Sequence, residues 1–424
     1  MRMRNVMLAL LLLPILAPAQ PGGGMRDRYF NRYPFEKWQS EGPAAGIHWS
    51  YKVLPATLSA HQRQSVRVEM QIDRGEIEAR RVPKGGTGEL VIFAEFRDSQ
   101  GRRWRSHELF DLTRIPDGAK AQAILMAQDV FVVPGEYEVS MAICDSRNLE
   151  HSFAKVPLRV PPVRKDPLPG AAADLPPVEF VRAIGTPDSW FQPYLRGRLK
   201  LPVASKSPVH VDLVMNMTPS QRAQGSLRIF RRNMSVLIPA LRIFAGLRLE
   251  NGSMDITLTD LVRRRTWEQN AVTRGLDWNR MREPFAETNP GIIDAQSLAQ
   301  KREMLQFFWD KLLERAERPP EPGGKRAMIV LSAPVFLDGQ NKVEPATAPK
   351  DPNRRVFYVR YRAPPPRMLV QIAPDGTTLP PAPSMPFDEL ERVVKLLDAK
   401  IYSVSTPEEF RKALAAIMSE IGRM

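Results

Sequence analysis

The sequence is poor in the residues that build most extracellular scaffolds and most metal centres. It has a single cysteine, Cys144, in 424 residues, so no intramolecular disulfide can form and stability must come from hydrophobic cores. Cys144 sits in an alternating apolar segment and reads as a small buried hydrophobe, not a nucleophile. There are five histidines, His48, His61, His107, His151 and His210. No two are spaced as helical zinc ligands, and with one cysteine no metal-ligand signature exists. A phosphate-cradling glycine loop, a G-x-S-x-G elbow and a nucleic-acid-binding motif are all missing. Glu408-Glu409 and Asp388-Glu389 are the paired carboxylates, but both pairs fall where helices should start, and acidic residues there stabilise the helix dipole. Trp309, beside Phe307 and Phe308 in a helical pattern, reads as core. The expectation is a protein that is not an enzyme.

Beyond residue 19, long apolar runs are missing too, which excludes a membrane-spanning helix there. Residues 1–19 have a basic start at Arg2 and Arg4, an apolar stretch from Val6 to Leu16 and an Ala17-Pro18-Ala19 cleavage signature. That layout predicts a secretory signal peptide, and hence a secreted or periplasmic protein. What is abundant is proline, at 40 residues, and positive charge, at a formal +14. Basic residues are scattered along the chain, which predicts a solvated surface able to meet an extracytoplasmic protein or surface polymer rather than nucleic acid.

Residues 20–44 lack periodicity and read as an extended tail. From 45 to 162 the period is two: Val66, Val68, Met70 and Ile72 alternate with polar neighbours. So do Leu90, Ile92, Ala94 and Phe96, then Tyr137, Val139, Met141 and Ile143, then Ala154, Val156, Leu158 and Val160. Half-buried antiparallel strands in a β-sandwich are predicted. The stretch from Val133-Pro134-Gly135 through Tyr137 to Ser146 resembles the closing hairpin of bacterial immunoglobulin-like modules, which implies an immunoglobulin-like sandwich. A proline-rich linker is expected at 163–185.

From 186 to 424 strands alternate with helices, which implies a mostly parallel sheet covered on both faces. An insertion is expected at about 334–386, carrying the strand-like Val356–Tyr361. Near the end, Thr406-Pro407-Glu408-Glu409 has the composition of a capping box with proline at the first helical position.

Val209–Met215 running into Asn216-Met217-Thr218-Pro219-Ser220 resembles the first strand and metal-site motif of the von Willebrand factor A family. There D-x-S-x-S begins a metal-ion-dependent adhesion site; here the spacing is kept as N-x-T-x-S. The whole chain is similar to secreted bacterial proteins related to that family, and the resemblance implies a Rossmann-like α/β domain over 186–424. It also implies Asn216, Thr218 and Ser220 as the metal positions. The loop threonine and strand-end aspartate that complete the family's site are not found at 289–294 or 331–334. Neutral ligands hold a hard cation poorly, so the site is expected to be degenerate, with no cofactor and at most weak Mg²⁺ binding. The expected function is binding, with the sheet's C-terminal edge presented to a partner. The alternatives are metal-dependent adhesion and an extracellular hydrolase, the latter calling for a pocket of several carboxylates at that edge.

Overall fold

The computed structural model describes residues 29–80, 88–114, 123–181, 195–218, 226–272, 275–287, 303–318, 323–337, 343, 351–363 and 388–424. The expected signal peptide and Ser220 lie outside these residues, as does most of the expected insertion. The described residues form two compact units, one of those up to Ser59 with Arg63–Lys165 and Leu175–Gly197, the other of Ala60–Gln62, Asp166–Asp174 and Arg198–Met424.

Among the described residues the first unit contains helical residues at 29–32, helix α1 (Phe35–Glu41) and strands β1 (Ala44–Ala45), β2 (Trp49–Val53), β3 (Thr57–Leu58) and β4 (Gln64–Asp73). Helix α2 (Arg74–Arg80) follows, then β5 (Glu89–Asp98), β6 (Arg103–Asp111), β7 (Ala123–Val132), β8 (Gly135–Asp145), β9 (His151–Val160) and β10 (Val178–Phe180). Two antiparallel sheets result, in the orders β1-β9-β8-β5-β6 and β10-β7-β4-β2, with β3 paired to β4. The alternating residues read from the sequence meet in one core between them: Val68 and Ile72 from β4 and Val130 from β7 against Ile92, Phe96, Val139 and Ile143 from β5 and β8.

The intervening positions of β5, β8 and β9 are buried as well, because the outer face of that sheet is covered. Phe30, Tyr33, Phe35 and Trp38 pack on Val91, Phe93, Ala142, Cys144 and Phe153. Residues 29–44 are therefore not the expected extended tail: aromatic side chains before and within α1 close a second, smaller core. Burial pushes the Cys144 thiol up to about 12, so it stays protonated and inert. The Pro134-Gly135 turn also differs from the expected hairpin. β7 pairs with β4 and β8 with β5 and β9, so the turn carries the chain from one sheet to the other. The Tyr137 hydroxyl fixes it by donating to the Val133 carbonyl at 3.0 Å.

The second unit contains β11 (Pro202–Val203), β12 (Val209–Asn216), helix α3 (Ser226–Phe244), β13 (Arg248–Leu249), β14 (Gly252–Asp260), β15 (Arg265–Gln269), α4 (Trp278–Glu287) and α5 (Met304–Glu317). After these come β16 (Lys325–Ser332), β17 (Arg354–Tyr361), α6 (Glu389–Lys395), β18 (Lys400–Val404) and α7 (Pro407–Gly422). Six strands form one sheet in the order β15-β14-β12-β16-β17-β18, and β11 and β13 pair separately. On one face α5 and α6 bury Phe308, Trp309, Leu312, Leu390 and Val393 against Val214, Val330 and Val356. On the opposite side of β17, Tyr361 stacks on Phe410 of α7 at 5.2 Å, and Phe244 of α3 meets the same ring edge-on at 5.6 Å. Gly252 is required where β12 and β14 begin to pair: a Cβ there would fall 2.0 Å from the Val209 carbonyl oxygen.

These pairings correct the expected fold class. Over the described chain, strand pairing is mostly antiparallel, helices are few, and the first unit is all-β. In the six-stranded sheet β14 and β15 are antiparallel, and among the described strands parallel pairing runs through β14-β12-β16-β17-β18 and joins the short β11 to β13. A uniform Rossmann-like, von Willebrand A-like sheet is not what the described strands form, and that class is not retained. Residues 354–361 are likewise no insertion. They are an inner strand whose Val356–Val359 are buried; the proline-rich flanks disguised a core element.

The expected linker at 163–185 is not uniform spacer either. Val178–Phe180 pair with β7, whereas residues 166–174 belong to the second unit. There the Arg411 guanidinium, 3 % exposed, grips both Asp166 oxygens at 2.5 and 2.7 Å and donates to the Leu168 carbonyl at 3.1 Å. Lys200 donates its backbone N–H to the Ala171 carbonyl at 2.9 Å.

Candidate functional site

Three polar constellations stand at the two ends of the six-stranded sheet. The C-terminal ends of β12 and β16 bring Asn216 and Ser332 together, and both are buried. Asn216 Nδ2 donates to Ser332 Oγ at 3.0 Å, and Ser332 Oγ donates to the Ala333 carbonyl at 2.6 Å. Asn216 Oδ1 accepts the Thr218 N–H at 3.0 Å, while Thr218 Oγ1 accepts the Leu261 N–H at 2.7 Å. The two described metal positions are thus adjacent, but their oxygens cap backbone donors.

The carboxylate nearest in register is Asp260, which follows Thr259, the partner of Asn216 across β12 and β14. It is fully buried and engaged by the backbone of Val262 and Arg263 and by the Arg263 guanidinium at 2.8 Å. Neutral, occupied oxygens and a carboxylate neutralised by arginine do not suit Mg²⁺, which needs strong anionic ligands to give up its waters. The described residues at this end of the sheet do not fit the ion.

Farther along the same edge, a cleft of about 590 Å³ is lined by Arg360 and Arg362 of β17 and its end, by Asp388, Glu391, Arg392 and Lys395 around α6, and by Ser403, Ser405 and Glu409 near β18 and α7. Asp388 is the N-cap of α6: one oxygen accepts from the Val335 and Leu390 backbones at 3.1 and 3.3 Å. The other accepts the Tyr358 hydroxyl at 2.6 Å. Burial raises the Asp388 carboxyl above the usual carboxylate value against these hydrogen bonds, and burial beside that carboxyl drives the Tyr358 hydroxyl well up.

Glu391 is held by Lys395 and Arg360 and lies below its usual value, the Lys395 hydrogen bond being the largest cause. Glu409 completes the capping box expected at Thr406, with Thr406 Oγ1 accepting its N–H at 3.2 Å and its carboxylate accepting the Thr406 N–H at 3.2 Å. All three carboxylates lining the cleft are therefore committed. Arg360 is committed as well, to Glu391 and to Ser403 Oγ at 2.7 Å. Among the described residues Arg362 and Arg392, both exposed, have no side-chain partner.

At the N-terminal ends of the strands, His210, Asp212 and Asp255 form the group whose ligand atoms lie within 4.8 Å of one another. Asp212 and Asp255 face each other in register across β12 and β14. His210 Nε2 stands 3.5 Å from an oxygen of each. Arg326 Nε donates to Asp212 at 2.7 Å, Arg315 reaches both aspartates at 3.5 Å, and Arg318 lies 3.8 Å from Asp255. Burial would raise the Asp212 carboxyl, but His210 and Arg326 outweigh it and hold it below its usual value. The donor types suit a metal; the charge does not, since three guanidiniums already neutralise the two carboxylates. The signal in the sequence was His-x-Asp on one strand, which puts both side chains on one face. It was masked because the run reads as an apolar buried strand.

No family model matches the chain, and no curated protein sequence matches it. Among solved structures it is similar to an X-ray structure of a Northeast Structural Genomics Consortium target, at 12 % identity over 28 % of this chain and 88 % of that one, with a TM-score of 0.17. It is also similar to the crystal structure of Parabacteroides merdae β-glucuronidase, at 10 % identity over 74 % of this chain and 34 % of that one, again with a TM-score of 0.17. Likeness at that level carries neither fold nor function. Among the described residues no helix is long and apolar enough to cross a membrane.

Proposed function

We propose that the chain is an exported, non-enzymatic binding protein that presents the C-terminal edge of its six-stranded sheet to a protein or surface polymer. The observation that supports this reading is the state of the edge cleft. It contains three carboxylates, the composition a hydrolase would use, but Asp388 and Glu409 cap helices and Glu391 is paired with two cations. A general acid or base must be within reach of the proton it moves and able to exchange it. These carboxylates spend their lone pairs on the fold, while exposed cations remain available to a ligand.

The test uses the full chain as bait against envelope extract and culture fluid, beside a Ser403→Trp variant that fills the cleft from the exposed face of β18. A partner retained by the unmodified chain and lost by the variant is the expected result. Identical retention by both, or turnover of a hydrolysable substrate abolished by Asp388→Asn, would refute the reading.

A further inference from the structure

We infer that the edge cleft recognises an acidic peptide segment, with Arg362 and Arg392 receiving its carboxylates; this rests on the binding role proposed above. Both guanidiniums are placed by rigid backbone. Arg362 donates its N–H to the Val404 carbonyl at 2.8 Å, which locks it against β18, and Arg392 lies within α6. The surrounding charges do not satisfy them. Glu391 is shared by Arg360 and Lys395, Glu409 is turned into its capping box, and Asp388 faces Tyr358 and the backbone.

A guanidinium is a planar fork of donors that matches a carboxylate bidentately, and two unsatisfied forks in one concavity call for two oxyanions. The cleft is in the size range of pockets that hold ligands of many atoms, far more room than a lone phosphate ion fills. Beside it runs β18, which among the described strands pairs only with β17. Ser403 and Ser405 line that wall, Ser403 receiving Arg360 and Ser405 donating to Glu409. A short extended peptide carrying two acidic side chains fits these features better than a free anion.

The experiment measures fluorescence anisotropy of a labelled glutamate-rich hexapeptide with the full chain at physiological ionic strength. Its glutamine counterpart and inorganic phosphate serve as comparison probes. Arg362→Ala and Arg392→Ala should each weaken the acidic peptide roughly tenfold or more, the loss expected for a charge-assisted hydrogen bond. Arg97→Ala, which removes an exposed cation of the first unit, should change nothing, and unchanged melting temperatures would show all three variants folded. Equal binding of the glutamine peptide, equal weakening by Arg97→Ala, or displacement of the peptide by phosphate at comparable concentration would each overturn the inference. If the glutamine peptide binds and Ser403→Trp abolishes it, the cleft is a binding site and only its acidic specificity is wrong.

Discussion

Replacing Asp212 by asparagine removes the negative charge at the centre of the buried ion network without changing side-chain volume. The carboxylate is 1 % exposed and receives Arg326 at 2.7 Å, with Arg315 and His210 at 3.5 Å. Removing one partner of a buried pair costs about 3–5 kcal/mol, because the remaining charge stays desolvated. The lower end applies here. Arg326 keeps the Arg318 carbonyl, Arg315 keeps Asp255 and Glu268, and asparagine can still accept one hydrogen bond. For a unit of this size about 3 kcal/mol corresponds to a drop of roughly 6–12 °C in melting temperature.

The loss should depend on pH in one direction. A carboxyl depressed in the folded state contributes stability above its unfolded value near 3.8, and that contribution disappears as pH falls through the folded value. The gap between the unmodified chain and Asp212→Asn should therefore be full at pH 7 and shrink only below about pH 4. Thermal melts and urea titrations across pH 3–7 measure it. Asp212→Leu combined with Arg326→Met, an apolar replacement of the pair, should recover part of the loss. A Tm change under about 2 °C at pH 7, small on the scale just used, would show that the network is relaxed by water and that its burial carries no such energy.

Millimolar Mg²⁺ or Mn²⁺ should leave the melting temperature unchanged, since a ligand stabilises only in proportion to its occupancy. Asn216→Asp alone should not create metal-dependent stabilisation, and a Mg²⁺-dependent shift lost in Thr218→Ala would reverse that conclusion. Tyr358→Phe should cost about 1–3 kcal/mol in a urea titration, because it takes a donor from the buried Asp388 carboxylate. Thr406→Ala should cost about 1 kcal/mol, the usual value of an N-cap, with Thr406→Ser close to the unmodified chain in the same assay.

The sandwich was legible because its strands obey a strict period: Val66 to Ile72 and Tyr137 to Ile143 point their apolar sets into one core, as alternation requires. Helix α1 was not, because at seven residues its two buried aromatics, Phe35 and Trp38, mark a single turn, too short for a period to be read; they take their place from what they cover. Strand β17 was recognised as a strand and misplaced, since flanking prolines mark loops without saying which sheet the segment enters. Of the expected metal positions, the spacing could not show that Asn216 holds the Thr218 N–H and Ser332, or that Thr218 accepts from Leu261. The cleft drew on β17, α6, β18 and α7 together, and the His210 group on strand register, so both needed tertiary structure to be seen.

The grip of Arg411 on Asp166 sets an order on how the second unit can be made or cut. Its partners are separated by 245 residues of sequence, and Arg411 also reaches the Gln62 carbonyl. During synthesis the aspartate must wait, solvated, until α7 emerges to claim it. A fragment starting at 198 would carry the guanidinium without its anion, leaving a desolvated cation in an otherwise native helix. Any dissection of this protein into halves has to keep Asp166–Asp174 with the C-terminal piece, because the border between its folding units is not a single point on the chain.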